Sequence, residues 1–268
     1  VIDPIDDESL LRAVCFAASI SALLTAEALA PRRPRRAPQR AWPNVGLFVL
    51  DGIVARVAAA SSLGVVAVAA GANGWGFFNR FAAPTWLALP LTVLLLDLGM
   101  YVQHRLFHRL RWLWRLHAVH HADTEFDVTT GIRFHPGEIV VSFALKALVV
   151  VAAGASAWSV VVFEMVLSSA SLFTHANLRL PPAVDATLRN LIVTPEMHRT
   201  HHSIERDEYN SNFGFLLIWW DRWLGTYRAR SRAAQDAMPI GLADYRGAEQ
   251  QTLAALLLQP LSATNSTP

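Results

Sequence analysis

The chain has 268 residues, 53% of them hydrophobic and only 16% charged, with a formal net charge of +2 and a mean hydropathy of +0.30. That balance is too apolar for an ordinary soluble domain. It indicates a single membrane domain, all-α and polytopic, with about four to five membrane-inserted helices and a histidine-rich helical cap on the cytoplasmic side. The positive charge is almost all arginine grouped beside apolar runs, Lys146 being the one lysine. This suits cytoplasmic membrane flanks, and no nucleic-acid motif or stacking platform accompanies it. Cys15 is the single cysteine, which excludes an internal disulfide and any cysteine-based metal or redox motif.

In chain order, residues 1–9 are acidic and read as a short arm. The run Leu10 to Ala30 is long enough to span the roughly 30 Å hydrocarbon core. The loop after it carries Arg32, Arg33, Arg35, Arg36 and Arg40, which by the positive-inside rule places it in the cytoplasm and the N-terminus outside. An apolar stretch from about Val45 to Gly71 reads as a second span, with Asp51 and Arg56 costly there unless they lie near an end or face protein. Pro84 to Gln103 reads as a third, completing the span region of 10–103.

Residues 104–138 then hold the first histidine clusters, and 139–174 form an apolar hairpin broken near Gly154. The first half of that hairpin, about 15 residues or 22 Å long, is expected to be re-entrant or tilted. Lys146 and Glu164 inside it are either snorkelling or paired within protein. Residues 175–242 carry the second cluster region. A short helix at TLAALLL and a Ser/Thr/Pro-rich tail complete 243–268.

The ten histidines fall in one constellation. HRLFH holds His104 and His108, HAVHH holds His117, His120 and His121, and HRTHH holds His198, His201 and His202, with His135 and His175 between. Residues three and four apart share a helix face, so each cluster can offer several imidazoles to a metal. Eight to ten histidines over-supply one ion and suit two ions of higher coordination. Imidazole accommodates iron, zinc, copper or nickel, so the ligand type does not name the metal. From His108 to His117 the helix phase advances about nine times 100°, to opposite faces, so the chain must break between Arg109 and Leu116 if both serve one site. A common site also requires the hairpin to make an even number of crossings.

These motifs, together with RFHP, the His175-Ala176-Asn177 element, the lead-in Asp97-x-x-x-Tyr101-x-x-His104 and the stretch Asn212 to Tyr227, resemble the membrane fatty acid hydroxylase and sterol desaturase superfamily over roughly residues 90–230. The resemblance implies a non-haem centre of two iron ions that uses O2 as co-substrate to hydroxylate or desaturate a C–H bond of a lipid, of sterol or fatty acyl type. Electrons would come from NAD(P)H through a separate carrier, cytochrome b5-like or ferredoxin-like. The absence of a Gly-rich dinucleotide motif and of a cysteine cluster agrees with that.

By the same resemblance His104, His108, His117, His120, His121, His198, His201 and His202 occupy ligand positions, and His175 joins them. His135 is either a loop ligand or an outer partner of one. Asn177 either holds a metal-bound water or caps a turn. Asp221 either orients a histidine or pairs with Arg222, the pairing being favoured. Trp219, Trp220 and Trp223 read as interface anchors. The expected location is integral to the bacterial inner membrane, with the histidine clusters and C-terminus cytoplasmic. The competing readings are a histidine-rich membrane metal transporter and a zinc-dependent membrane hydrolase.

Overall fold

The computed structural model describes residues 4–35, 37–58 and 62–262, with side chains from residue 8 onward. Expectations that rest on residues 1–3, Arg36 and 263–268 lie outside the described residues. Helix α1 (Pro4–Leu29) takes in most of the segment expected as an arm, proline being pre-set for a first helical turn. The apolar stretch from Val45 to Gly71, expected as one span, is instead two helices, α2 (Ala41–Ala58) and α3 (Leu63–Ala72). The second starts at Ser62, whose Oγ accepts from Val65 N–H at 3.3 Å, so the serine satisfies an end that an unbroken helix would not have.

After the single turn α4 (Phe77–Arg80), helix α5 (Thr85–Arg109) runs without interruption through His104 and His108. Leu110 is extended, with φ −97° and ψ 117°, and α6 (Arg111–His121) sets off in a new direction. Helix α7 (Pro136–Ala153) begins three residues before the expected apolar start and so reaches 18 residues. It is therefore long enough to cross, longer than the apolar run on which the re-entrant or tilted expectation rested. Gly154, at φ 71°, turns the chain into α8 (Ala157–His175). That turn is pinned by close backbone approach: a Cβ on Gly76 would lie 2.1 Å from Gly154 N. The remaining helices are short: α9 (Pro182–Leu188), α10 (Pro195–His201), α11 (Arg206–Tyr209), α12 (Trp219–Trp223) and α13 (Leu253–Leu258). Among the described residues there is no β-strand, only isolated bridges such as Pro31 with Leu178.

Four helices, Glu8–Leu29 of α1 and the whole of α5, α7 and α8, are long and apolar enough to cross a membrane. The molecule is an all-α polytopic membrane protein. Leu96, Met100, Val150, Phe163 and Phe215 form the core where α5, α7 and α8 meet. Two of the charges within the helices, Asp97 and Glu164, have protein partners, whereas Arg56 of α2 is exposed. Asp97 accepts from Leu216 N–H, Leu217 N–H and Trp220 Nε1–H, and Glu164 pairs with Arg12 at 3.0 Å.

Helices α1, α5 and α8 end, and α2 and α7 begin, at the same end of the bundle. Arg32 N–H bonds Asn177 O there at 2.9 Å, and Asn44 Nδ2 donates to Asp123 at 3.2 Å. The C-terminal α13 closes that end, Leu256 packing with Leu47 and Val119. The α3–α4 loop and the α7–α8 turn lie at the other end. After replacement of Cys15 by serine, single cysteines at the exposed positions Ala186 and Leu261 should therefore react with an impermeant reagent from one side of the membrane, and a cysteine at Ala72 from the other. Labelling of Ala186 and Leu261 from opposite sides would break the even-crossing arrangement.

Candidate metal centre

The helix ends bring nine histidines together in two groups: His104, His108, His117, His121 and His201 in one, and His120, His175, His198 and His202 in the other. Within each group one ring nitrogen per residue lies within 4.8 Å of the rest, and all nine side chains are buried. The break at Leu110 reverses the phase conflict between His108 and His117. Each HxxHH triplet divides between the groups, because the third and fourth residues after a given position point about 100° apart on a helix. His117 and His121 face the first group while His120 faces the second; His201 faces the first while His198 and His202 face the second.

Tautomers are fixed by the surroundings. His104 Nδ1–H donates to Phe213 O at 2.8 Å, His201 Nδ1–H to Ser211 O at 2.7 Å, His120 Nδ1–H to Arg133 O at 3.1 Å and His175 Nδ1–H to Ser171 O at 2.7 Å. A carbonyl can only accept, so each of these rings keeps its proton on Nδ1 and aims an Nε2 lone pair inward. The lone pairs meet. Nε2 of His104 lies 3.0 Å from Nε2 of His201 in the first group, and Nε2 of His120 lies 3.1 Å from Nε2 of His175 in the second.

Two acceptors at that distance repel unless a cation sits between them. Donors at right angles and about 2.1 Å from a common metal are about 3.0 Å apart, the spacing each group presents. The residues therefore fit a metal ion in each group. The inward nitrogens His117 Nε2 and His202 Nε2 are buried with no hydrogen-bond partner, which is the same signature.

Burial, reinforced by neighbouring imidazoles, holds His120, His121, His198, His201 and His202 well below the usual histidine range, and burial alone lowers His117 to about 3. These rings are neutral at neutral pH, as metal ligation requires.

The supporting layer is where sequence reading and structure part. Asp221 does not pair with Arg222. Its carboxylate accepts from Phe213 N–H and Gly214 N–H, both at 2.8 Å, and from Thr226 Oγ1–H, so it holds the loop whose carbonyl orients His104. Arg222 donates to Arg189 O and lies over the Tyr227 ring. Asn177 clasps the backbone of Arg33 at both N–H and C=O, tying the α1–α2 loop to the end of α8. His135 joins neither group; its Nδ1 accepts from Gly137 N–H at the start of α7 and its Nε2 donates to Leu257 O. Trp220 serves Asp97, while Trp223 is exposed.

Three further residues support the site. Glu138 accepts from His117 Nδ1–H at 2.9 Å. Arg133, fully buried, donates to Val119 O, Asn44 and Gln251 while its own carbonyl serves His120. Glu27 accepts from Val128 N–H and Asn177 N–H. The available signal was charge inside or beside apolar runs, which calls for a partner.

A cavity of about 380 Å³ lies in the helical bundle beside the histidines, separated from them by lining residues that include Phe134, Glu138 and Phe215. Phe134 stacks on His120 at 4.7 Å and Phe215 lies 5.0 Å from His104 between ring centroids.

A fatty acid hydroxylase family model matches residues 89–226, just over half of the chain and the part that holds all ten histidines. The chain belongs to the fatty acid hydroxylase family. Within it, the chain is 29% identical over 219 residues to the ornithine lipid hydroxylase OlsE of Rhizobium tropici, covering 81% of this chain and 64% of that protein. It is 26% identical over 162 residues to the alkylglycerol monooxygenase of Homo sapiens, covering 59% and 35%, and 29% identical over 162 residues to that of Danio rerio. The chain thus spans less than two thirds of the length of these relatives. No solved structure matches it.

The six histidines with lowered pKa give this family member a pH signature. Below about pH 6.5 the unfolded chain takes up protons that the buried rings refuse, so the stability they contribute is present above that pH and lost as it falls, at up to about 1.4 kcal/mol per pH unit per group. Thermal unfolding of chelator-stripped protein should show a midpoint that drops steeply between pH 7 and 5. A flat profile would mean the rings are not buried and neutral.

Proposed function

We propose that this chain is a membrane-bound, O2-dependent di-iron oxidoreductase that hydroxylates a C–H bond of a lipid. The observation that carries the reading is the pair of facing Nε2 lone pairs, one pair in each buried histidine group. All nine grouped histidines, His104, His108, His117, His120, His121, His175, His198, His201 and His202, are the proposed ligands. Iron held there would supply the one-electron chemistry needed to activate O2 against an unactivated C–H bond. The overall balance is R–H, O2, NAD(P)H and a proton giving R–OH, water and NAD(P)+, with electrons delivered by a separate carrier. The relatives' names, a lipid hydroxylase and a lipid monooxygenase, favour hydroxylation over desaturation.

The chain's own residues position and protect. Carbonyls of Phe213, Ser211, Arg133 and Ser171 and the Glu138 carboxylate orient rings, as outer partners of ligating histidines do. Met100, Ile132, Phe134 and Phe215 give the inner cavity an apolar wall on the side of the rings, suited to a hydrocarbon. The ligands stand at the ends of helices on one side of the bundle; a transporter would keep them near the midplane. The run of arginines after α1 supports a cytoplasmic face for this end, in a bacterial inner membrane.

In membranes containing the protein, a lipid extract, an NAD(P)H-linked reductase and isotopically heavy O2, the lipid product should gain one labelled oxygen. His120→Ala and His201→Ala should remove product while the protein stays in the membrane. Glu138→Gln should lower turnover by about 10- to 100-fold. Product formed under strict anaerobiosis would overturn the reading in favour of hydrolysis.

A further inference from the structure

A cleft of about 960 Å³ opens between α1, α2, α7 and α8 and shares Phe16, Phe48, Lys146 and Glu164 with the cavity beside the histidines. Its lining includes three cations from three helices, Arg12, Arg56 and Lys146, against one carboxylate, Glu164. Glu164 is engaged by Arg12 at 3.0 Å, and Glu8 also approaches Arg12, at 3.8 Å. Among the described residues no carboxylate comes within 4.0 Å of the Lys146 ammonium or the Arg56 guanidinium. Asp51 and Glu138 line the inner cavity but not this cleft. Glu164 also acts on Lys146 through its charge, and Arg56 is exposed near the end of α2; one carboxylate thus faces three cations, and the cleft keeps a net positive charge, which in an apolar setting by default belongs to a ligand or a partner.

We propose that the cleft binds the anionic head of an amphiphilic substrate, a carboxylate or a phosphate, at Lys146 and Arg56, while its chain passes the Phe16–Phe48 stack toward the histidines. This rests on the lipid-oxidation reading and adds the substrate class to it. The two rings stack at 5.1 Å and face both spaces, giving an apolar wall between the charged end and the site. Along α7, positions 138 to 146 are separated by about 12 Å at about 1.5 Å per residue. Glu138 at one end bonds His117 and Lys146 at the other meets the head. The carbon offered to the histidines is therefore on the chain, remote from the charged group, and a sterol or neutral glyceride lacks the feature these cations recognise.

The test is equilibrium binding of radiolabelled palmitate, of palmitoyl lysophosphatidate and of neutral monopalmitoylglycerol to the purified full chain in an uncharged detergent. At least one anionic lipid should bind about tenfold tighter than the neutral one. Lys146→Met and Arg56→Met should each remove most of that preference, and Lys146→Arg should keep it. Preference for palmitate alone identifies a carboxylate head, for lysophosphatidate alone a phosphate head. Equal affinity for the neutral lipid, a preference unchanged in both Met variants, or a loss shared equally by the neutral lipid overturns the proposal. Binding is read without turnover, so failure here leaves lipid oxidation standing, and failure of O2 dependence leaves the anion site standing.

Discussion

Nine imidazoles can be packed ring against ring only while they are uncharged, a state that exclusion of water enforces, and acceptors at Nδ1 then decide which ring nitrogen carries the proton. Much of the histidine end of this molecule answers that requirement. Carbonyl oxygens of Phe213, Ser211, Arg133 and Ser171 take the protons of four rings, and Glu138 takes that of a fifth. His108, His198 and His202 have no hydrogen-bond partner at Nδ1, while the Nε2 lone pairs of the oriented rings converge on two points. In a low-dielectric interior such unsatisfied acceptors are costly, so the arrangement is stable when something electrophilic occupies each point.

The acceptors are themselves held by buried acids and by one arginine. Asp221 fixes the Phe213–Gly214 turn from within its own segment, and Asp97 reaches across from α5 to fix Leu216 and Leu217 just beyond it. The two carboxylates position one loop from both sides, and that loop positions His104. Arg133 does the same for the second group, joining Val119 of α6, Asn44 of α2 and Gln251 of the C-terminal segment. The loop arginines read as a topological signal also act as ties: Arg40 bonds Asp123 and Asp127, Arg35 bonds Glu27 and Arg32 bonds Glu196. Loss of any one of these ties would loosen the orientation of a ring without touching a ligand.

Much of this was legible in the sequence because it depends on local period. The i, i+4 spacing of His104 and His108, the phase conflict that forces a break before His117, and the return of the hairpin at Gly154 all follow from helix geometry. The division of each HxxHH triplet follows from the same geometry once two centres are allowed, since the third and fourth positions cannot face one point equally. The rest depended on partners far apart in the chain. Asp221 turned to backbone N–H groups of its own loop because that loop folds back over it. Asn177 turned to Arg33 because α1 ends beside α8. The Val45–Gly71 run is apolar but for Asp51, Arg56, Ser61 and Ser62, and the cap at Ser62 marks where its second helix starts.

The central claim is that the histidines form two separate metal-binding groups, five and four. It is tested most directly by elemental analysis of anaerobically purified protein together with His104→Ala and His198→Ala variants. The account predicts two iron ions per wild-type chain, with each variant losing chiefly the ion of its own group and about one ion remaining. A stoichiometry of one in the wild type, or no loss of metal in either variant, would contradict it.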